Sequence, residues 1–160
     1  MSIYEKLWAW PENVKDIITQ AGDYLQYILP IAFITYQACF GTHDISIKFV
    51  LSLGTALALM SLIKGLFNND RPREVGTDDN PDLDFDWSPR EGNSFVSGHS
   101  TAAMTSALAY FCINAYAGSI AVLLAIFVGF SRIVAKAHWI RDVVCAFILS
   151  LIVFYLYFFL

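Results

Sequence analysis

A chain of 160 residues fits one domain, but 57% of it is hydrophobic, only 15% is charged, and its mean hydropathy is +0.54. Soluble domains carry about 25% charged residues, so the composition points to a membrane protein. The formal net charge of −4 lacks the basic footprint of a nucleic-acid binder, and 13 Phe, 8 Tyr and 4 Trp suit lipid-facing surfaces and interfacial belts.

The chain opens with MSIYEKLWAWPENVKD, which has no apolar core long enough for a cleavable signal peptide before charges interrupt. Insertion is therefore expected to use the later apolar runs. Val14, Ile17, Ile18, Ala21 and Leu25 recur at helical spacing, while Lys15, Asp16 and Gln20 point elsewhere. With Trp8 and Trp10 ahead of Pro11, residues 1–22 read as an amphipathic helix lying in the interface.

Five apolar runs follow, at 24–40, 45–67, 101–117, 119–135 and 143–160. Each is near the length of about 17–25 residues that crosses a bilayer core. No alternating barrel pattern is present, so these runs predict an all-α integral membrane bundle of five or six transmembrane helices. GTHD is too short for anything but a hairpin turn between the first two spans, and Ala117-Gly118 is the expected turn between the third and fourth. From Ser119 onward the chain holds one glycine and no proline. A straight helix over that stretch would be about 63 Å long, against a core of about 30 Å, so it must fold back, and the charged patch SRIVAKAHWIRD is the place.

A long polar loop, 68–97, separates the second and third spans. It carries eight of the 14 acidic residues: Asp70, Glu74, Asp78, Asp79, Asp82, Asp84, Asp86 and Glu91. The stretch GTDDNPDLDFD lacks the glycine and terminal glutamate of a calcium loop at their proper offsets, so it reads as solvated, or as a lid over a site. Cys39, Cys112 and Cys145 all lie in apolar runs without metal or redox spacing and are read as small buried hydrophobes.

Counting spans places this loop, the loop after the fourth span and the N-terminus on one side of the membrane. That side collects Lys64, Arg71, Arg73, Arg90, His99, Arg132, Lys136, His138, Arg141 and Asp142, while the other keeps little beyond His43, Asp44 and Lys48. Ionisable groups gathered at one edge of a bundle mark a functional site. Lys64 and Arg71 are two helical turns apart, so a continuing helix would put both on one face as a phosphate clamp; snorkelling at the membrane edge explains the same pair. His138 and Asp142 stand at i and i+4, where a carboxylate on one helical face orients an imidazole; a capping Asp beside an interfacial His is the plainer reading. Ser97-Gly98-His99 precedes the third span, where free N–H groups of a helix start attract an anion, or where Ser97 or Ser100 merely caps. Together three cations, two imidazoles and a carboxylate make a complete set for phosphoryl transfer without a metal or other cofactor.

These residues carry a resemblance. KGLFNNDRP, Lys64 to Pro72, fits K-x-x-x-x-x-x-R-P, SFVSGH resembles P-S-G-H, and SRIVAKAHWIRD fits S-R-x-x-x-x-x-H-x-x-x-D. In this order they resemble the three motifs of the type 2 phosphatidic acid phosphatase family, with Val96 standing where proline is usual. The resemblance implies that His99 is the nucleophile, forming a phosphohistidine, and that His138, held by Asp142, is the acid and base. It implies that Lys64, Arg71, Ser97, Gly98 and Arg132 bind the phosphate, with no metal. The same motifs resemble those of soluble acid phosphatases and vanadium haloperoxidases, against which the apolar spans argue.

The expected partners are thus a bilayer and a phosphorylated membrane lipid: phosphatidylglycerol phosphate, undecaprenyl pyrophosphate, phosphatidic acid or a lipid A phosphate. Transfer to a second lipid instead of water needs the same phosphohistidine and stays open. So does a small transport or scaffold protein, although a transporter places polar or broken-helix features in mid-span and here they gather at one edge. The resemblance implies a bacterial inner membrane protein with its site facing the periplasm or outside. The positive-inside rule points the other way, but four or more of the ionisable residues on that side look catalytic or substrate-binding, and the loop there is also strongly acidic.

Overall fold

In the computed structural model, which describes residues 3–72, 84–85 and 93–160, the apolar runs form helices around a short central one. In chain order these are α1 (Ile3–Trp8), α2 (Glu12–Phe40), α3 (His43–Leu66), a two-residue antiparallel pair β1 (Phe67–Asn68) and β2 (Asp84–Phe85), α4 (Gly98–Ala109), a 3-10 turn (Tyr110–Cys112), α5 (Ala115–Val134) and α6 (Ile140–Phe158). Helix α4 packs against α2, α3, α5 and α6. Its sequence suits that place: Ala103, Thr105, Ser106, Ala107 and Ala109 are all buried, and small residues let helix backbones approach where lipid offers no hydrophobic push. Its Thr105 links it to α6, with Thr105 Oγ1 donating to Ser150 Oγ (3.0 Å) and Ser150 Oγ donating to the Ala146 carbonyl (2.9 Å).

The outer faces are apolar. Ile31 and Ile34 on α2, Val50 and Leu51 on α3, Leu123 on α5 and Leu151 on α6 are exposed, a surface that lipid solvates and water does not. Helices α3, α5 and α6 are long and apolar enough to cross a membrane.

Two boundaries differ from the sequence expectation. The separate interfacial helix over residues 1–22 is not formed, because α2 runs unbroken from Glu12 into the first span. No proline interrupts residues 12–29, so helix propagation simply continues, and a helix of 29 residues reaches about 43 Å, beyond the apolar layer at one end. Only α1 stands apart, divided off at Pro11. It is docked on the bundle: Trp8 is buried, its indole N–H donates to the Ile133 carbonyl (2.9 Å), and Tyr4 stands edge-on to Trp139 (5.3 Å). The second difference is the turn expected at Ala117-Gly118, which falls earlier, at Ile113-Asn114. Asn114 caps α5 there, its side-chain oxygen accepting from the Ala117 N–H (2.9 Å), and this cap outweighs the turn preference of Gly118.

Candidate active site

At the end of the bundle where α4 and α6 begin and α3 and α5 end, a cavity of about 430 Å³ is lined by Thr19, Lys64, Arg71, Gly98, His99, Arg132 and His138, with Ala135 and Ala137 between them. Six of the eight residues expected from the sequence therefore meet in one space. Ser97 and Asp142 do not line it, and both are fully buried behind it.

The two cations of the first motif reach the cavity by a route other than the one expected. Helix α3 stops at Leu66 and Phe67 is extended (φ −118°, ψ 138°), so Arg71 is not two turns along the same helix. The Asn93 side-chain amide donates to the Lys64 carbonyl (2.6 Å) and to the Phe67 carbonyl, satisfying acceptors that the end of the helix orphans. The loop then returns, and Trp139 Nε1 donates to the Asp70 carbonyl (2.9 Å), which keeps Arg71 beside the site.

Ser97 is the N-cap of α4. Its Oγ accepts from the Ser100 N–H (3.4 Å) and lies 2.9 Å from Ser100 Oγ, so it shapes the helix start rather than touching the cavity. The first residues of α4, Gly98 and His99, do line it, placing the positive end of a 12-residue helix at the cavity. A Cβ on Gly98 would meet the end of the Met60 side chain, Cε, at 3.3 Å, so that methionine would have to give by a few tenths of an ångström.

Arg132, in the last turn of α5, is buried and held by three partners: Asp23 Oδ1 at 2.6 Å from Nη1, the Thr19 carbonyl at 2.9 Å from Nη2, and Ser131 Oγ at 3.1 Å from Nε. Asp23 Oδ1 also lies 3.3 Å from His99 Nε2.

His138 precedes α6 instead of lying on it, since Trp139 is that helix's N-cap. His138 and Asp142 consequently do not share a helical face, contrary to the expectation from their i, i+4 spacing. The Ser94 carbonyl takes His138 Nδ1 at 2.8 Å, whereas Asp142 Oδ2 is 3.7 Å away. Asp142 instead accepts from the Trp139 N–H (2.9 Å) and from Asn69 Nδ2 (3.4 Å), which ties the α6 start to the first-motif loop. A carbonyl can only accept, so Nδ1 carries the hydrogen and Nε2 keeps its lone pair. Burial pushes this imidazole below its ordinary value of 6.5, against the opposing pull of Asp142, and so favours the neutral ring.

The model of the PAP2 superfamily matches residues 46–160, which takes in all three motifs and the greater part of the chain. The chain belongs to the PAP2 superfamily. This PAP2 protein resembles the crystal structure of Aquifex aeolicus LpxE, with a TM-score of 0.75 at 21% identity over 97% of this chain and 92% of that one. It also resembles a transmembrane PAP2-type phosphatidylglycerolphosphate phosphatase from Bacillus subtilis, with a TM-score of 0.71 at 20% identity over 97% of this chain and 80% of that one. No curated protein matches the sequence.

Several residues of this PAP2 site escape sequence reasoning. Ser94 contributes a backbone carbonyl, which side-chain patterns do not reveal. Asn69 is hidden among the unspecified positions of the first motif, yet is buried and bonds Ser94 Oγ (2.7 Å) and Arg141 (2.6 Å). Asp23 left a trace: a lone acid beside a glycine at the edge of an apolar helix, the kind of ionisable residue that marks function. Arg73, Arg90 and the acidic stretch 74–91, apart from the backbone of 84–85, lie outside the described residues.

Proposed function

We propose that this PAP2 protein is a membrane phosphatase that hydrolyses a phosphomonoester or pyrophosphate on a lipid, with His138 as nucleophile and His99 as acid. The supporting observation is the 2.8 Å contact between His138 Nδ1 and the Ser94 carbonyl, which leaves a neutral, oriented ring with its lone pair on Nε2. His99, less buried and paired with a carboxylate, suits the proton-donating role. These roles are exchanged relative to the sequence expectation, because the rigid tether belongs to His138.

Nε2 of His138 attacks phosphorus as the bond to the leaving lipid oxygen breaks, and His99 gives that oxygen its proton. Water then attacks the phosphohistidine, His99 accepts a proton from it, and phosphate leaves. Lys64, Arg71, Arg132 and the α4 start offset charge on the phosphoryl oxygens throughout. The position of the site at one end of an apolar bundle lets a lipid keep its chains in oil while its phosphate enters the cavity. The four candidate lipids remain those drawn from the motifs. Likeness to the Bacillus subtilis enzyme puts phosphatidylglycerol phosphate first among those to assay. The site faces the periplasm or outside of a bacterial inner membrane.

Phosphate release in detergent micelles with EDTA, followed by acid quench and peptide mapping of trapped phosphate, tests this reading. Release from one lipid with acid-labile label on His138 is the expected result. Label on His99 would restore the opposite order, and no release from any lipid would shift the reading to transfer onto a second lipid. Reactivity of a cysteine placed beside the cavity toward an impermeant reagent, in intact cells and in inverted vesicles, tests the orientation.

A further inference from the structure

We infer that Asp23 is a positioning residue for catalysis, one that both docks Arg132 and keeps His99 supplied with its proton. The inference rests on the assignment of His99 as the acid. Asp23 lies outside the matched residues 46–160, on a helix that none of the three motifs includes.

Helix α2 is built to receive the end of α5 at this point. Arg132 grips it over one turn, through the Thr19 carbonyl and the Asp23 carboxylate four residues later. Between them Gly22 removes the obstacle: a Cβ there would lie 1.9 Å from Ser131 Oγ and 3.4 Å from Arg132. The same Asp23 oxygen that holds Arg132 at 2.6 Å stands 3.3 Å from His99 Nε2.

The charges around His99 make this contact consequential. Arg132 faces it from α5 and His138 from the loop before α6, while Lys64 and Arg71 line the same cavity. Burial first and the Arg132 charge second favour loss of the His99 proton and pull its value from 6.5 down to about 4, with His138 acting more weakly in the same direction. Asp23, from α2, is the carboxylate that the described residues set against that ring. A general acid must enter the reaction protonated, so the carboxylate supports the imidazolium that hands its proton to the leaving oxygen. Its second bond, to Arg132, fixes where that carboxylate stands.

The test uses the full-length enzyme in micelles, Asp23→Asn and Asp23→Glu beside the wild type, and two substrates. One is the lipid phosphate, whose alkoxide leaving group needs a proton. The other is p-nitrophenyl phosphate, whose leaving group does not. Asp23→Asn is expected to lose about 10- to 100-fold in kcat on the lipid, with the alkaline limb of the pH profile moved to lower pH. The aryl phosphate should lose far less, which also reports that the variant is folded, and Asp23→Glu should regain part of the lipid rate. Equal losses on both substrates with unmoved pH limbs would reduce Asp23 to a prop for Arg132 and overturn the inference, as would an unchanged lipid rate. A wild type that releases phosphate from neither substrate would overturn the phosphatase reading itself, a result distinct from either.

Discussion

The two histidines sit on the same cavity but are held in opposite ways. His138 is buried, and its anchor is an uncharged backbone group: the Ser94 carbonyl, backed by Asn69 and Asp142, all on or beside the second and third motifs or the loop of the first. His99 is about one third exposed and its partner, Asp23, comes from a helix remote in sequence. A backbone carbonyl fixes a tautomer without adding charge, which suits a nucleophile. A carboxylate stabilises the protonated ring, which suits an acid. Two copies of one side chain thus have different surroundings, and the two roles proposed for them follow from that difference.

The largest expected effect breaks the comparison on the His138 side. His138→Ala should lower kcat by on the order of 10⁴–10⁶-fold on lipid and aryl phosphates alike, because the covalent step is lost whatever the leaving group. His99→Ala should lose about 10²–10⁴-fold on lipid and much less on p-nitrophenyl phosphate. Matching losses in the two variants on both substrates, measured as initial rates, would erase the distinction. Arg132→Lys should cost about 10²–10³-fold in kcat. A lysine keeps the charge but has no planar fork to bind Asp23 and the Thr19 carbonyl together. A rate within threefold of wild type would mean that charge alone suffices.

Gly22→Ala sharpens the comparison more gently. The added methyl must push α2 off α5, at about 1–3 kcal/mol of stability, seen as a lower melting temperature in micelles. Its catalytic loss should fall mainly on the His99 side, with lipid turnover dropping more than aryl phosphate turnover. The smallest effect concerns pH. Because burial lowers the His138 value from 6.5, the ring stays neutral and nucleophilic as pH falls past that point. The acid limb of kcat/KM should therefore appear below pH 6.5, and a limb above it would contradict the buried, neutral nucleophile.

Much of this was legible in the chain. Runs of apolar residues against a hydrocarbon layer leave few alternatives to helices, and motif spacing identified six residues that do share the cavity. Where the reading failed, it assumed regular helix through residues whose ends are decided by neighbours. Lys64 and Arg71 meet through a loop braced by Asn93, and His138 and Asp142 straddle a helix start. The third span ended early because Asn114 offers a stronger cap than Gly118 a turn.

By itself, then, the sequence determined the membrane environment, the helical class and six of the side chains that line the cavity, since all three depend on composition and local pattern. Only the tertiary structure decided which histidine is rigid and which is paired with an acid. The contacts responsible, Ser94 to His138 across 44 positions and Asp23 to His99 and Arg132 between separate helices, are long-range and in part made by backbone. No local pattern encodes them, and Gly22 is what lets α2 and α5 close to within hydrogen-bonding distance at Asp23 and Arg132.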